Sequence, residues 1–265
     1  MNIYQVDTFS NEMFKGNPAM VCILEENKSD HWMSNLAKEL NQPVTAFVST
    51  NSYPYKIRWF TPTQEIMICG HGTLAASFIL WETNVLPVKE KIHFHTEAGH
   101  LTTTYQNEWI QLKFQAVAPI EVEPHPKLLN AMGINNVNYI GKNKWDYIVE
   151  IEKEEELISL KPDFDLISKL PVRGVIVTTK SKQKEYDFIS RFFSPAQGIN
   201  EDQVTGSAHC CLAPYWNNKL QKDEFIAYQA SKRGGKIKIK VRGEDIYLFG
   251  KAVTVYKGEL SSSAV

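Results

Sequence analysis

The sequence predicts an α+β protein of two pseudosymmetric lobes. Three observations lead there: a long internal repeat, more strands than helices in each half, and a proline-rich connection between the halves. The repeat is clearest where residues 58–80, RWFTPTQEIMICGHGTLAASFIL, meet residues 191–216, RFFSPAQGINEDQVTGSAHCCLAPYW. Arg58, Phe60, Thr61, Pro62, Gln64 and Ile66 fall opposite Arg191, Phe193, Ser194, Pro195, Gln197 and Ile199 at a constant offset of 133. One inserted residue then sets Gly72 and Thr73 opposite Gly206 and Ser207, where each copy opens an apolar helical run. A fainter echo upstream sets VTAFVST from Val44 opposite RGVIVTT from Arg173. Solenoid repeats have periods of roughly 20–50 residues, so a period near half the chain marks domain duplication.

Each copy reads as strand, turn at proline, loop and helix start. A helix start carries free backbone N–H groups and the positive end of the helix dipole, which together attract anions. Pseudo-twofold packing would set Gly70, Gly72 and Thr73 on one wall of a cleft and Gly206 and Ser207 on the other, glycine letting a ligand approach the backbone. That arrangement suits a small carboxylate. The alternative is that Gly-Thr and Gly-Ser are ordinary helix caps.

Taken in order, residues 3–9 read as a strand, GNP at 16–18 as a tight turn, and 19–24 as a second strand. The turn can present its N–H groups and the Asn17 amide to a ligand, with Gly16 beside it, or serve only as a bend. Ser29 or Asp30 caps a helix through Leu40, whose Trp32, Leu36 and Leu40 share one face. Pro43 stops its continuation and residues 44–49 form a strand. The first repeat helix runs to about Glu82, and strands follow at 91–96, 100–105 and 109–114. AVAPIEVEPHPK, residues 116–127, is the linker, which divides the chain into lobes of residues 1–117 and 118–265, the last strand being able to cross back to the first lobe. Beyond it come a short helix near 127–132, strands near 138–140 and 145–151, helical segments within 154–170, and strands at 174–179 and 187–193. After the second repeat helix, strands are expected at 225–229, 236–242 and 245–256, with a disordered SSSAV end.

The 265 residues are 43% hydrophobic and 22% charged, an ordinary balance with ample core for one large or two medium domains. A net charge of −1 makes no electrostatic case for nucleic acid or an anionic membrane. The locally basic stretch 232–242 alternates Lys with Ile and reads as a strand with a solvated outer side. No apolar run approaches the ~20 residues of a bilayer span, and the start lacks a leader pattern, so a cytoplasmic protein is expected. Cys22, Cys69, Cys210 and Cys211 give no disulfide framework, in keeping with a reducing compartment.

CGHGTLA at 69–75, EDQVTGSAH at 201–209, LAPYW at 212–216, GNPA at 16–19 and SKRGG at 231–235 together resemble the signatures of the PhzF-like (phenazine-biosynthesis-like) proteins. The match spans nearly the whole chain in the right order. The resemblance implies the diaminopimelate-epimerase-like fold: two lobes, each a curled mixed β-sheet or barrel around a central helix, with a cleft between them and commonly a homodimer. It implies isomerisation of a small carboxylate-bearing metabolite by proton transfer at carbon, without a cofactor. On this resemblance His71, Asp202 and Ser207 match the family's active-site residues, and Gly70 and Gly206 its substrate-contacting glycines.

The family's general acid/base glutamate has no counterpart, because Val44 stands in its place and valine has no titratable proton. Three outcomes remain open. Cys69 could act as base at a helix N-terminus; it matches one catalytic cysteine of the related diaminopimelate epimerases, while the opposite position holds Gln203. Asp202 and His71 could form a carboxylate–imidazole acid/base pair. The protein could instead be a catalytically inactive, carboxylate-binding homologue. A metal site is not expected from Cys69, His71, His209, Cys210 and Cys211. Ligands two apart in Cys69-Gly70-His71 and adjacent side chains on a helix do not match zinc spacings.

Overall fold

The computed structural model describes residues 1–261, so the expectation for the tail past Ser261 lies outside the described residues. The chain divides into two compact units: Met1–Lys113 with the segment from Phe249 onward, and Phe114–Leu248. The first contains β1 (Asn2–Thr8), β2 (Asn17–Leu24), α1 (Asp30–Leu40), β3 (Thr45–Ser49), β4 (Tyr55–Phe60), β5 (Glu65–Ile66), α2 (Gly70–Glu82), β6 (Ile92–Thr96), β7 (Gly99–Gln106) and β8 (Trp109–Gln115). Next come β9 (Ile120–Glu121), α3 (Leu128–Met132), β10 (Tyr139–Lys142), β11 (Asp146–Glu150), α4 (Glu154–Ser159), α5 (Phe164–Ser168), β12 (Gly174–Lys180), β13 (Phe188–Ser194), β14 (Ile199–Asp202), α6 (Gly206–Leu220), β15 (Glu224–Gln229), β16 (Gly235–Arg242) and β17 (Asp245–Gly250). The final β18 (Ala252–Glu259) pairs antiparallel with β1. The single strand expected at 245–256 is therefore two strands, broken at Lys251.

The two units repeat one ladder order. In the first, β1–β2 is antiparallel, β2–β3 parallel, β3–β4 and β4–β5 antiparallel, β4–β6 parallel and β6–β7 antiparallel. In the second, β10–β11, β11–β12, β12–β13, β13–β14, β13–β15 and β15–β16 follow in the same sense. Each parallel step from β4 to β6 and from β13 to β15 is crossed by a helix, α2 or α6, since parallel neighbours need a long connection.

These ladders correct the register read from the sequence. Phe60 pairs with Glu65, and Phe193 with Glu201. The connection is thus four residues (61–64) in the first copy and seven (194–200) in the second, so the offset grows from 133 to 136. The three extra residues lie where the second copy forms a 3₁₀ turn, Pro195–Gln197, ending on Gly198 at φ +81°. Gly70 therefore stands opposite Gly206, His71 opposite Ser207, and Cys69 opposite Thr205, not Gln203. Upstream, Phe47 faces Arg58 and Val177 faces Arg191, so Val44 matches Gly174, one residue on from Arg173. Matching letters in loops of different length had hidden the shift.

Packing explains the helices. Met33 and Ala37 form the buried centre of α1, with Trp32, Leu36 and Leu40 flanking it, against Ile3, Met20, Cys22, Leu24, Phe47 and Phe60. By contrast α2 is apolar on nearly every side and is buried from Gly72 through Ser77, as expected for a helix enclosed by a sheet; it packs on β1, β2, β3 and β18. The second unit has its own core around Leu128, Met132, Val149, Leu157, Val175 and Phe193.

A duplicated ion pair fixes the step from strand to helix. Arg58 Nε and Nη2 donate to the two Glu65 carboxylate oxygens at 2.6 Å each, and Arg191 does the same to Glu201 at 2.7 and 2.9 Å. Arg191 Nη1 also donates to the carbonyls of Leu157 and Leu160 at 3.2 and 2.9 Å, which closes the C-terminal end of α4. Glu201→Ala would leave a buried guanidinium without its carboxylate and is expected to cost about 3 kcal/mol in urea unfolding. Asp30→Ala, removing the exposed second partner of Arg58, should cost no more than about 1 kcal/mol. Equal losses would show that burial of the pair is not what matters.

Candidate active site

In the first unit the site begins at Cys69, the residue before α2. Its backbone is extended and its side chain does not cap the helix, so the first-turn N–H groups are left without a side-chain acceptor from that residue. The ends of α1 and α5 differ, because Ser29 and Asp163 accept from the backbone there. Cys69 is 6% exposed and its Sγ lies 3.4 Å from Nδ1 of His71, a half-buried residue of the first turn. The thiol and imidazole thus form one polar pair at the positive end of a buried helix.

Beneath them, Thr73 is fully buried, and its hydroxyl donates to the Cys69 carbonyl at 2.7 Å. Thr73, expected to touch substrate, instead holds Cys69 in place. Gly72 is also a packing residue. A Cβ there would lie 2.8 Å from Trp59 Cδ1 and 3.2 Å from both Cys69 Sγ and Val44 Cγ1, so these side chains converge on the glycine. Val44 is fully buried, and the neighbouring Trp59 Nε1 is buried without a hydrogen-bond partner. Gly16 has φ +65° and a Cβ on it would reach 2.0 Å from the Thr8 carbonyl oxygen, so glycine is required by the turn itself. Asn17 is fully buried at the start of β2 and its carbonyl accepts from Thr8 Oγ1 at 2.8 Å.

In the second unit the matching helix start is Thr205, again with no side-chain cap to α6. Its hydroxyl donates to Asp202 Oδ2 at 2.6 Å. Gln229, fully buried, ties both residues down: its Oε1 accepts from Thr205 N at 2.8 Å and its Nε2 donates to the Asp202 carbonyl at 2.7 Å. Ser231 donates to the Gln203 carbonyl at 2.7 Å, which is how SKRGG at 231–235 folds over the loop before the helix. Gly206 is half-buried and Ser207 is exposed on the first turn. The sequence reading missed Thr205, Gln229 and His209 in this network; the missing clue was the register, which sets Thr205 opposite Cys69.

His209 occupies the place of Thr73 and does the same work. Its Nδ1–H donates to the Thr205 carbonyl at 2.8 Å, and its Nε2 is buried with no partner. Burial pushes its pKa down to about 4, whereas burial pushes the Cys210 and Cys211 thiols up to about 12. The adjacent cysteines are therefore core side chains. Pro214 lacks an N–H for the Cys210 carbonyl, which instead accepts from Val117 at 3.0 Å and so docks the connecting segment onto α6. Among the described residues no group of three or more His, Cys, Asp and Glu side chains could hold a metal, and no helix is long and apolar enough to cross a membrane.

Two units with one ladder order, each enclosing a helix with an uncapped start, define the mixed-sheet α+β class of the epimerase-like folds. The phenazine biosynthesis-like family model matches residues 6–258, and the chain belongs to that family. An uncharacterized isomerase of Halalkalibacterium halodurans is 49% identical over 259 residues, covering 97% of each chain. A solved PhzF-family phenazine biosynthesis protein of Enterococcus faecalis superposes with a TM-score of 0.93 at 37% identity, covering 98% of both chains. A predicted epimerase of Pseudomonas aeruginosa shares the fold at 17% identity, with a TM-score of 0.78 and 98% of each chain covered.

The buried His209 has a measurable consequence. Its folded pKa is depressed to about 4 from 6.5, so between those values the unfolded chain binds a proton that the folded ring refuses. Stability should be full above pH 6.5 and fall with acidification toward pH 4, by up to about 3 kcal/mol from this residue. His209→Thr, the residue used at the matching position of the first unit, should flatten that part of the profile in urea titrations. An unchanged slope would remove His209 as its source.

Proposed function

We propose that the protein is a cofactor-independent isomerase that moves a proton at carbon on a small carboxylate-bearing metabolite. The observation that carries this reading is the Cys69–His71 pair, 3.4 Å apart at the uncapped start of α2, beside a position where Val44 supplies no acid or base. A helix N-terminus and a neighbouring imidazole both favour a thiolate. The Cys69 thiolate takes a proton from the carbon next to the substrate carboxylate, and His71 exchanges protons with the thiol so that one can be returned to the product. The uncapped first-turn N–H groups of each helix, at Gly70 in the first unit and at Gly206 with the Ser207 hydroxyl in the second, are each suited to a carboxylate. In the second unit Asp202 keeps the α6 start in place through Thr205. The family membership and the isomerase name of the 49%-identical relative support the reaction class.

The test is proton exchange in D₂O. A panel of small cyclic and acyclic amino and hydroxy acids is incubated with the protein and read by ¹H NMR. For any member that binds, a carbon-bound proton should exchange. Cys69→Ala should slow that exchange ~10²–10⁴-fold, the usual worth of a positioned acid or base, with binding retained. Ser207→Ala should instead weaken binding by about 1 kcal/mol, the worth of one hydrogen bond. A ligand that binds at the Ser207-dependent site without ever exchanging a proton would make the protein a binding homologue. Undiminished exchange in Cys69→Ala would move the chemistry to Asp202 and His71.

A further inference from the structure

We propose that His95 and His100 form a surface bis-imidazole site for a late first-row divalent ion such as Ni²⁺, Zn²⁺ or Cu²⁺, separate from the isomerase chemistry. The two residues are direct cross-strand partners in the β6–β7 hairpin, next to the pair Thr96 and Gly99 that closes its two-residue turn. Side chains at directly opposed antiparallel positions leave the same face with Cβ atoms about 4.5–5.5 Å apart. Here both rings are exposed and their centroids lie 5.2 Å apart, tilted by 55°.

That spacing suits a shared ion. A nitrogen–metal bond of about 2 Å, plus about 1.2 Å from nitrogen to ring centre, puts two imidazoles on one tetrahedral ion with centroids about 5 Å apart.

The hydrogen bonding singles out the same pair. The chain has seven histidines. His31 is engaged by Asn35, His71 by Cys69, His93 by Thr102, His125 by the Lys127 N–H and His209 by the Thr205 carbonyl. Among the described residues His95 and His100 are the two left, and they face each other. Their nitrogen lone pairs are open to an ion without breaking a bond in the fold. Among the described residues no carboxylate or carbonyl bonds either ring, so the site is exchangeable, with water or an added ligand filling the remaining positions, and unlike a buried structural zinc centre. Affinity should follow the general order for nitrogen sites, Cu²⁺ above Ni²⁺ and Zn²⁺, with Mn²⁺ weakest.

The experiment titrates the whole chain with NiCl₂ and ZnCl₂ by calorimetry at pH 7.5 and pH 5.5. One equivalent of ion should bind at the higher pH, and binding should be lost at the lower, because protons compete with the ion for the imidazole nitrogens. His95→Ala and His100→Ala should each weaken binding at least tenfold, while His31→Ala, also at an exposed position, should leave it unchanged. Because the ion links two strands of the folded state, it should also raise the thermal midpoint of the wild type and not of either variant. Binding that survives in the double variant His95→Ala, His100→Ala, for instance at Cys69 and His71, overturns the proposal, as does the absence of any binding at pH 7.5.

Discussion

In each unit an arginine on one strand grips a glutamate on the next through two parallel N–H···O bonds, and the helix start that follows depends on that grip. Arg58–Glu65 and Arg191–Glu201 fix where the returning strand lies, and the helix begins five residues after each glutamate, at Gly70 and Gly206. Planar, bidentate guanidinium–carboxylate pairing sets direction as well as distance. The intervening loop can then change length without moving the helix. The second copy has done so, with three more residues between Phe193 and Glu201 than the first has between Phe60 and Glu65.

That constraint explains what was legible in the sequence and what was not. The duplication, the α+β class, the central helices and most strands could be read, because apolar periodicity and turn residues are local properties. Register could not, since a letter-by-letter alignment scores loop residues and strand residues alike. Gln64 and Gln197 match as letters, yet Gln197 ends a 3₁₀ turn of the longer loop. Glu65 and Glu201 look unaligned, yet they are the equivalent pair. Residue function failed for the same reason: Thr73 carried the expected hydroxyl but lies one helical turn below the surface. The tight turn expected at residues 16–18 lies instead between β1 and β2 at residues 9–16, with Asn17 and Pro18 already in β2, and Gly16 is needed by its positive φ whether or not a ligand binds there.

With the register corrected, the two helix starts show how the copies have diverged. The residue before each helix is Cys69 in one and Thr205 in the other; the second helical residue is His71 or Ser207; the residue that holds the preceding carbonyl is Thr73 or His209. Thiol and imidazole thus sit together at the first start, hydroxyl and hydroxyl at the second. The buried task of holding the N-cap carbonyl has been exchanged between a hydroxyl and an imidazole with little change in distance, 2.7 against 2.8 Å. A buried support can be rebuilt from either group because only one donor is required. The first turn cannot, because a thiol and an imidazole offer donors and acceptors that a pair of hydroxyls does not.

The surroundings of Val44 set the limits of such exchange. A carboxylate there would enter a place that is fully buried and shared with Gly72, Trp59 and Cys69. Desolvation would favour its neutral form, and the unpartnered Trp59 N–H is a nearby donor that could offset part of the cost. In the second copy the matching pair is Gly174 and Phe192, packed so closely that a Cβ on the glycine would meet the ring at 2.6 Å and the Phe193 carbonyl oxygen at 2.7 Å. The indole N–H of the first copy therefore stands out as polar capacity in an otherwise apolar contact. A buried donor without a partner costs about 1–3 kcal/mol. An all-carbon ring, as in the second copy, would avoid that cost. The position thus carries an unsatisfied buried polar atom of the first unit's core, close beside the Cys69–His71 pair.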